Sequence, residues 1–136
     1  MLAFTLMDSG YEVRQAADGN AALVALAERA PDCLVLDLMM PGMDGFGVLQ
    51  AKRLQGLAPD TRVMILTCMT GERDYVRGWE LGADEYVSKP FDPERLVQAI
   101  ADLRAISSPD LAARRDAELQ KADMLSRLEA AFSRRP

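Results

Sequence analysis

The chain has 136 residues, enough for one domain with an appendage and a real core. Its apolar (49%) and charged (27%) fractions are ordinary for a globular protein, and a net charge of −5 argues against nucleic-acid binding as the domain's own task. No histidine occurs, which excludes serine–histidine and cysteine–histidine catalysis, His-ligated zinc and a phosphohistidine donor.

In chain order, residues 1–9 read as a helix stopped at Gly10. Residues 11–15 alternate apolar and polar, the pattern of a strand. An Ala/Leu-rich helix over 20–29 ends before Pro31, and an apolar run, Cys33–Asp37, reads as a buried parallel strand. Asp44 can cap a helix running to about Gly56 with Phe46 and Leu49 on its inner face. Arg62–Thr67 is a second buried strand, 72–81 a helix ended by Gly82, and Glu85–Ser88 a short strand. Asp92-Pro93-Glu94 opens a helix with a cap residue and a first-turn proline, carrying Leu96, Val97, Ile100 and Leu103 at helical spacing.

Strands alternating with helices in this way predict an α/β fold, a parallel sheet covered on both faces. A boundary falls near Ser107, dividing a domain over 1–106 from a helical segment over 107–136. That segment starts at Ser108-Pro109-Asp110 and bears a stripe of Leu119, Ala122, Leu125, Leu128 and Phe132. The helix either packs back on its own domain or, the favoured reading, serves signalling or dimerisation, because the preceding domain closes without it. Arg115 and Glu118 fall near seam positions, so the heptad pattern is imperfect.

Cys33 and Cys68 are placed at opposite ends of neighbouring parallel strands, roughly 15 Å apart at ~3.3 Å per residue, too far for a disulfide. Both read as buried structural thiols. The longest apolar run is too short to span a membrane and no signal peptide is visible, so a cytoplasmic protein without membrane contact is the expectation.

The chemistry gathers at strand ends. Asp37 closes one strand and is followed at once by the loop Leu-Met-Met-Pro41-Gly-Met-Asp44-Gly45. Thr67 closes the next, and Lys89-Pro90-Phe91 follows the last. Ligands of open α/β sheets sit at this carboxyl edge. A carboxylate, a hydroxyl and an ammonium converging there suit phosphoryl transfer to the carboxylate. A phosphatase of the haloacid dehalogenase type would need a second carboxylate two residues after the first, where this chain has Met39.

With these motifs the chain resembles the receiver domain of two-component response regulators. The matching stretches are Ala16-Ala-Asp-Gly19, Leu34-Val-Leu-Asp37 with its loop to Gly45, Ile65-Leu-Thr67, Leu81-Gly-Ala-Asp-Glu-Tyr86 and Lys89-Pro-Phe91, together covering 1–106. The resemblance implies a flavodoxin-like (CheY-like) sheet and a phosphoacceptor at Asp37, loaded by a histidine kinase or a phosphotransfer protein. It implies Thr67 and Tyr86 as switch residues, Thr67 and Lys89 as contacts of the phosphoryl group, and a cis peptide before Pro90.

The family also implies Mg²⁺, held by an acidic pair at the end of a first strand, by the phosphoacceptor and by a main-chain carbonyl, here that of Met39. This chain has no such strand and no such pair, so Asp37 and the Met39 carbonyl alone make a poor shell for the ion. Loss of a central strand also predicts an unpaired sheet edge: the strand at Tyr11 could shift to pair directly, a homodimer could fill the gap, or, the favoured expectation, the natural sequence begins upstream of Met1. An interaction module independent of phosphate is the alternative function. Receivers joined to winged-helix domains usually carry an acid six residues after the motif lysine and an arginine ten after it; Arg95 and Ala99 stand there instead.

Overall fold

The computed structural model describes residues 2–38, 44–68 and 72–133. The elements are α1 (Leu2–Asp8), α2 (Gly19–Glu28), β1 (Cys33–Asp37), α3 (Gly45–Leu54), β2 (Arg62–Thr67), α4 (Glu72–Glu80), β3 (Glu85–Ser88), α5 (Pro93–Ala105) and α6 (Ser108–Ser133). The three strands form one parallel sheet in the order β1-β2-β3. Asp37 pairs in register with Leu66, and Thr67 with Ser88, so the carboxyl ends of all three strands share one edge.

The central strand explains why helices cover both faces. Side chains alternate along a strand, and from Val63 to Leu66 β2 is apolar on both faces. Val63 and Ile65 pack with Leu36, Phe46, Val48 and Leu49 beneath α2 and α3. Met64 and Leu66 pack on the other face with Leu6 of α1, Leu96, Ile100 and Leu103 of α5, and Leu111 of α6. Helix starts are set by capping carboxylates: Asp18 accepts from Ala21 N at 2.8 Å, Asp44 from Gly47 N at 2.8 Å, and Asp92 from Glu94 N at 3.0 Å. Gly82 ends α4 at φ +104°, a left-handed turn that a side chain would strain.

Residues 11–15 correct the sequence reading. They are not a strand; no ladder forms along them. Alternation is necessary for a half-buried strand, but a strand also needs a neighbour, and none stands beside this segment. Tyr11 and Val13 still pack in the same layer as Cys33 and Val35. Side chains hold the segment instead: Arg14 donates to the carbonyls of Ala25 (2.9 Å) and Arg29 (2.5 Å), and Glu12 pairs with Arg29 at 2.6 Å.

Between this segment and β1 lies a groove of about 380 Å³. Arg62 N donates to Asp32 O at 3.0 Å and Leu38 N to Leu66 O at 3.2 Å. By the alternation of a strand, Leu34 and Leu36 also direct their main-chain groups to β2, while those of Cys33 and Val35 face the groove. Cys33 is half-buried, whereas Cys68 is exposed, which corrects the reading of both as buried thiols. Cys68 lies just past the end of β2, where the chain has already left the sheet. Among the described residues no helix is long and apolar enough to cross a membrane.

Half of α6 is docked and half projects. Leu111 is buried, and the segment through Leu119 lies against α4 and β3. Beyond it the apolar stripe is open, with Leu128 50% and Phe132 66% exposed.

Candidate functional site

Three connections build the carboxyl edge of the sheet. β1 delivers Asp37, and the chain then returns to α3 so closely that a Cβ at Gly45 would stand 2.9 Å from Leu38 Cα. Gly45 N donates to Leu38 O at 3.3 Å, fixing the start of α3 against the end of β1. β2 delivers Thr67, 3% exposed, whose carbonyl accepts from Lys89 N at 2.9 Å. That bond places Lys89 just past β3, and the Lys89–Pro90 peptide is cis.

Lys89 Nζ lies 2.5 Å from Asp37 Oδ2, with both side chains about one-third exposed. The pair therefore sits at the rim, open to an incoming group, and is not sealed in the core. A partly exposed carboxylate beside a fixed ammonium is suited to attack an electrophile whose added negative charge the ammonium can meet. Met39, whose carbonyl the resemblance assigns to the metal, lies outside the described residues.

Tyr86 stands two residues before the end of β3 and turns toward α4. Its hydroxyl donates to Asp74 O at 2.8 Å. Its ring centroid is 4.8 Å from that of Tyr75 and 5.9 Å from that of Trp79. The hydroxyl passes over Gly78, where a Cβ would come within 1.7 Å of it. Burial pushes the Tyr86 phenol well above its ordinary range, and the neighbouring Asp74 carboxylate and Tyr75 add to the rise.

Several residues of this region escape a reading by motif. Arg115 pairs with Asp84 at 2.5 Å, Arg114 pairs with Glu85, and Tyr75 donates to Glu118 at 3.0 Å. Arg115 and Glu118 look like flaws in a heptad; in the fold they are the anchors of α6. A glycine inside a helix, Gly78, was the one visible signal of the Tyr86 seat.

Mg²⁺ can be tested against these residues. Among the described residues no three carboxylate, thiol or imidazole side chains come together. Asp37 offers one carboxylate, with Oδ2 already on Lys89, and the family's acidic pair has no counterpart in the sequence. An octahedral, strongly hydrated ion needs more oxygen ligands than this. The described residues by themselves do not fit it, and no step is drawn through it.

Comparison with known proteins agrees with the fold. The chain is 44% identical over 103 residues to the probable transcriptional regulator ycf27 of Cyanophora paradoxa, covering 75% of this chain and 42% of that protein. It is 41% identical over 100 residues to the DNA-binding response regulator MtrA of Mycolicibacterium smegmatis, covering 74% and 42%. Chemotaxis protein CheY4 of Vibrio cholerae superposes with a TM-score of 0.71 at 36% identity, covering 76% of this chain and 86% of that one.

The chain thus spans less than half the length of these curated relatives. Their names overturn one expectation. Acidic net charge argued against direct contact with nucleic acid, yet relatives at this identity are named DNA-binding regulators, so charge over the shared segment does not support that expectation. Net charge over the segment shared with those regulators does not decide what the longer relatives bind.

Receiver domains of this kind are signalling modules and not enzymes acting on a separate substrate. Residues 1–101 match the description "Response regulator receiver domain", and with the parallel sheet and the Asp37, Thr67 and Lys89 strand ends in place, the chain belongs to that family.

Proposed function

We propose that residues 1–106 form a phosphoacceptor unit in which Asp37 takes a phosphoryl group from a histidine kinase. The observation that carries this reading is the 2.5 Å pair of Asp37 with Lys89 at the open carboxyl edge, beside the end of β2 at Thr67. A carboxylate oxygen of Asp37 forms a bond to phosphorus as the donor's nitrogen–phosphorus bond breaks, giving an acyl phosphate and a neutral imidazole. Lys89 exchanges its carboxylate partner for a phosphoryl oxygen, and Thr67 and Tyr86 shift in response. The face built from α4, β3 and α5 then changes shape, and a partner reads it. Residues 107–136 carry the signal onward.

A second reading has its own observation. Among the described residues no cluster of carboxylates is gathered to hold a cation beside Asp37, which suits a receiver that works by interaction alone, independent of phosphate. Intact mass after incubation with acetyl phosphate in Mg²⁺ buffer separates the two. A phosphoryl adduct on the native chain, lost in Asp37→Asn, supports the first; a natively folded chain that gains no mass rules it out in favour of the second.

A further inference from the structure

Three polar anchors hold the first half of α6 across α4 and β3. Arg115 is fixed to the body of the fold. It pairs with Asp84 Oδ1 at 2.5 Å and donates to the carbonyls of Ala83 (3.3 Å) and Gly82 (3.4 Å) at the end of α4. Asp84 is buried and also accepts from Val63 N at 2.9 Å, so this anchor is tied into the sheet.

The other two anchors converge on Tyr86. Glu118 accepts from the Tyr75 hydroxyl at 3.0 Å, and the Tyr75 ring lies on Tyr86, with centroids 4.8 Å apart and planes 35° apart. Glu85 uses one carboxylate oxygen for Arg114 and the other for Tyr86 N at 3.0 Å. Tyr86 itself is held in place by Asp74 O, in the residue before Tyr75. A side chain whose position decides where Tyr75 can rest thereby decides whether Glu118 has its donor.

We propose that α6 is a strap docked on the α4–β3 face, and that Tyr86 sets its grip through Tyr75. With Tyr86 seated on Gly78, Tyr75 is shelved under Glu118 and the strap is closed. When Tyr86 leaves that seat, Tyr75 loses its stacking surface, the Glu118 bond loosens, and α6 lifts about the Arg115 anchor. The α4–β3 face is thus a helix-docking surface already occupied in cis. A partner helix must offer an arginine for Asp84 or Glu85 and an acid for Tyr75 to compete, the pattern Arg114-Arg115-x-x-Glu118. The inference takes from the proposed function only that Tyr86 moves; the coupling holds or fails without phosphoryl transfer.

Amide hydrogen exchange of the full chain tests it. Tyr86→Leu is expected to speed exchange over 111–120 by about fivefold or more while α5 keeps its wild-type protection, and Arg115→Ala should speed it by about tenfold. Tyr75→Leu should match Tyr86→Leu, and the double variant should add little, because both act along one line. Wild-type exchange in α6 of Tyr86→Leu, or multiplicative effects in the double variant, would overturn the proposal.

Coupling is reciprocal, so the exposed end supplies a second measurement that keeps the core intact. Glu118→Ala is expected to change the emission of Trp79, the single tryptophan, which packs edge-on to Tyr75 at 5.9 Å and against Tyr86 at 5.9 Å. An unchanged spectrum would equally defeat the proposal. Failure of acetyl phosphate to label Asp37 would remove the proposed input and leave these results standing.

Discussion

Gly78 and Tyr86 are shaped to each other. A methyl group on residue 78 would stand 1.7 Å from the Tyr86 hydroxyl oxygen, 2.6 Å from Cζ and 3.0 Å from Ile65 Cδ1. The phenol is rigid and its hydroxyl is held by Asp74 O, so it cannot yield by a small rotation. Gly78→Ala therefore sets two effects against each other. Alanine favours the α4 helix by about 1 kcal/mol, but overpacking costs about 1–3 kcal/mol and displaces Tyr86. We expect net destabilisation, read as a lower urea midpoint with Trp79 emission already altered in the native baseline. A midpoint at or above wild type would show that Tyr86 has an alternative seat of equal depth.

Lys89→Met separates stability from chemistry. Its pair with Asp37 is about one-third exposed, so solvent screens it and folding should lose no more than about 1 kcal/mol. The rate of phosphoryl labelling from acetyl phosphate should fall by about 10²-fold, the usual scale for losing one group that meets developing charge. A variant labelled at the wild-type rate would leave Lys89 with a structural role alone.

The two cysteines are expected to behave differently. Burial pushes the Cys33 thiol up to about 12 from 9.0, with the Asp84 charge adding to the rise, whereas Cys68 is exposed. At pH 8 a thiol reagent should label Cys68 in the native chain and reach Cys33 only in urea. The raised value also fixes a sign. The native state holds this proton more tightly than the unfolded state, so the contribution is complete below pH 9. It falls away between about pH 9 and 12, at up to about 1.4 kcal/mol per pH unit. Replacement of Cys33 by alanine should flatten that part of the stability profile; a slope unchanged by the substitution would assign it to other groups.

Exchange along β1 should alternate. The amides of Leu34 and Leu36 face β2, while those of Cys33 and Val35 face the groove. The second pair should exchange at least about tenfold faster, since no ladder bond must open first. Equal protection along the strand would mean that the groove side finds a partner in solution.

Much of the scaffold was legible because single residues punctuate it. β2 and β3 run over the residues that the apolar runs of the sequence delimit, and Asp44 and Asp92 cap the helices they precede. The edge bearing Asp37, Thr67 and Lys89 followed from strand order alone, because parallel strands bring like ends together. The segment at 11–15 was misread since alternation records which side chains are apolar, not whether a neighbour exists to complete a ladder. The docking of α6 was hidden for a different reason. Arg115 and Glu118 meet groups more than thirty residues away, and such pairings leave no period in the sequence.

Asp84 gives the chain an order of assembly. One of its carboxylate oxygens closes the junction of β2 and β3 through Val63 N, and the other waits for Arg115, which is synthesised thirty-one residues later. A chain with the sheet complete but without α6 would keep the Asp84 carboxyl group inside the fold with one of its two oxygens unpaired by Arg115. Burying that group with half of its partners costs free energy, so a chain lacking α6 is expected to pack less firmly around Asp84. Arg115 supplies the missing half, so the helix that reads like an appendage completes the pairing of a buried residue of the core.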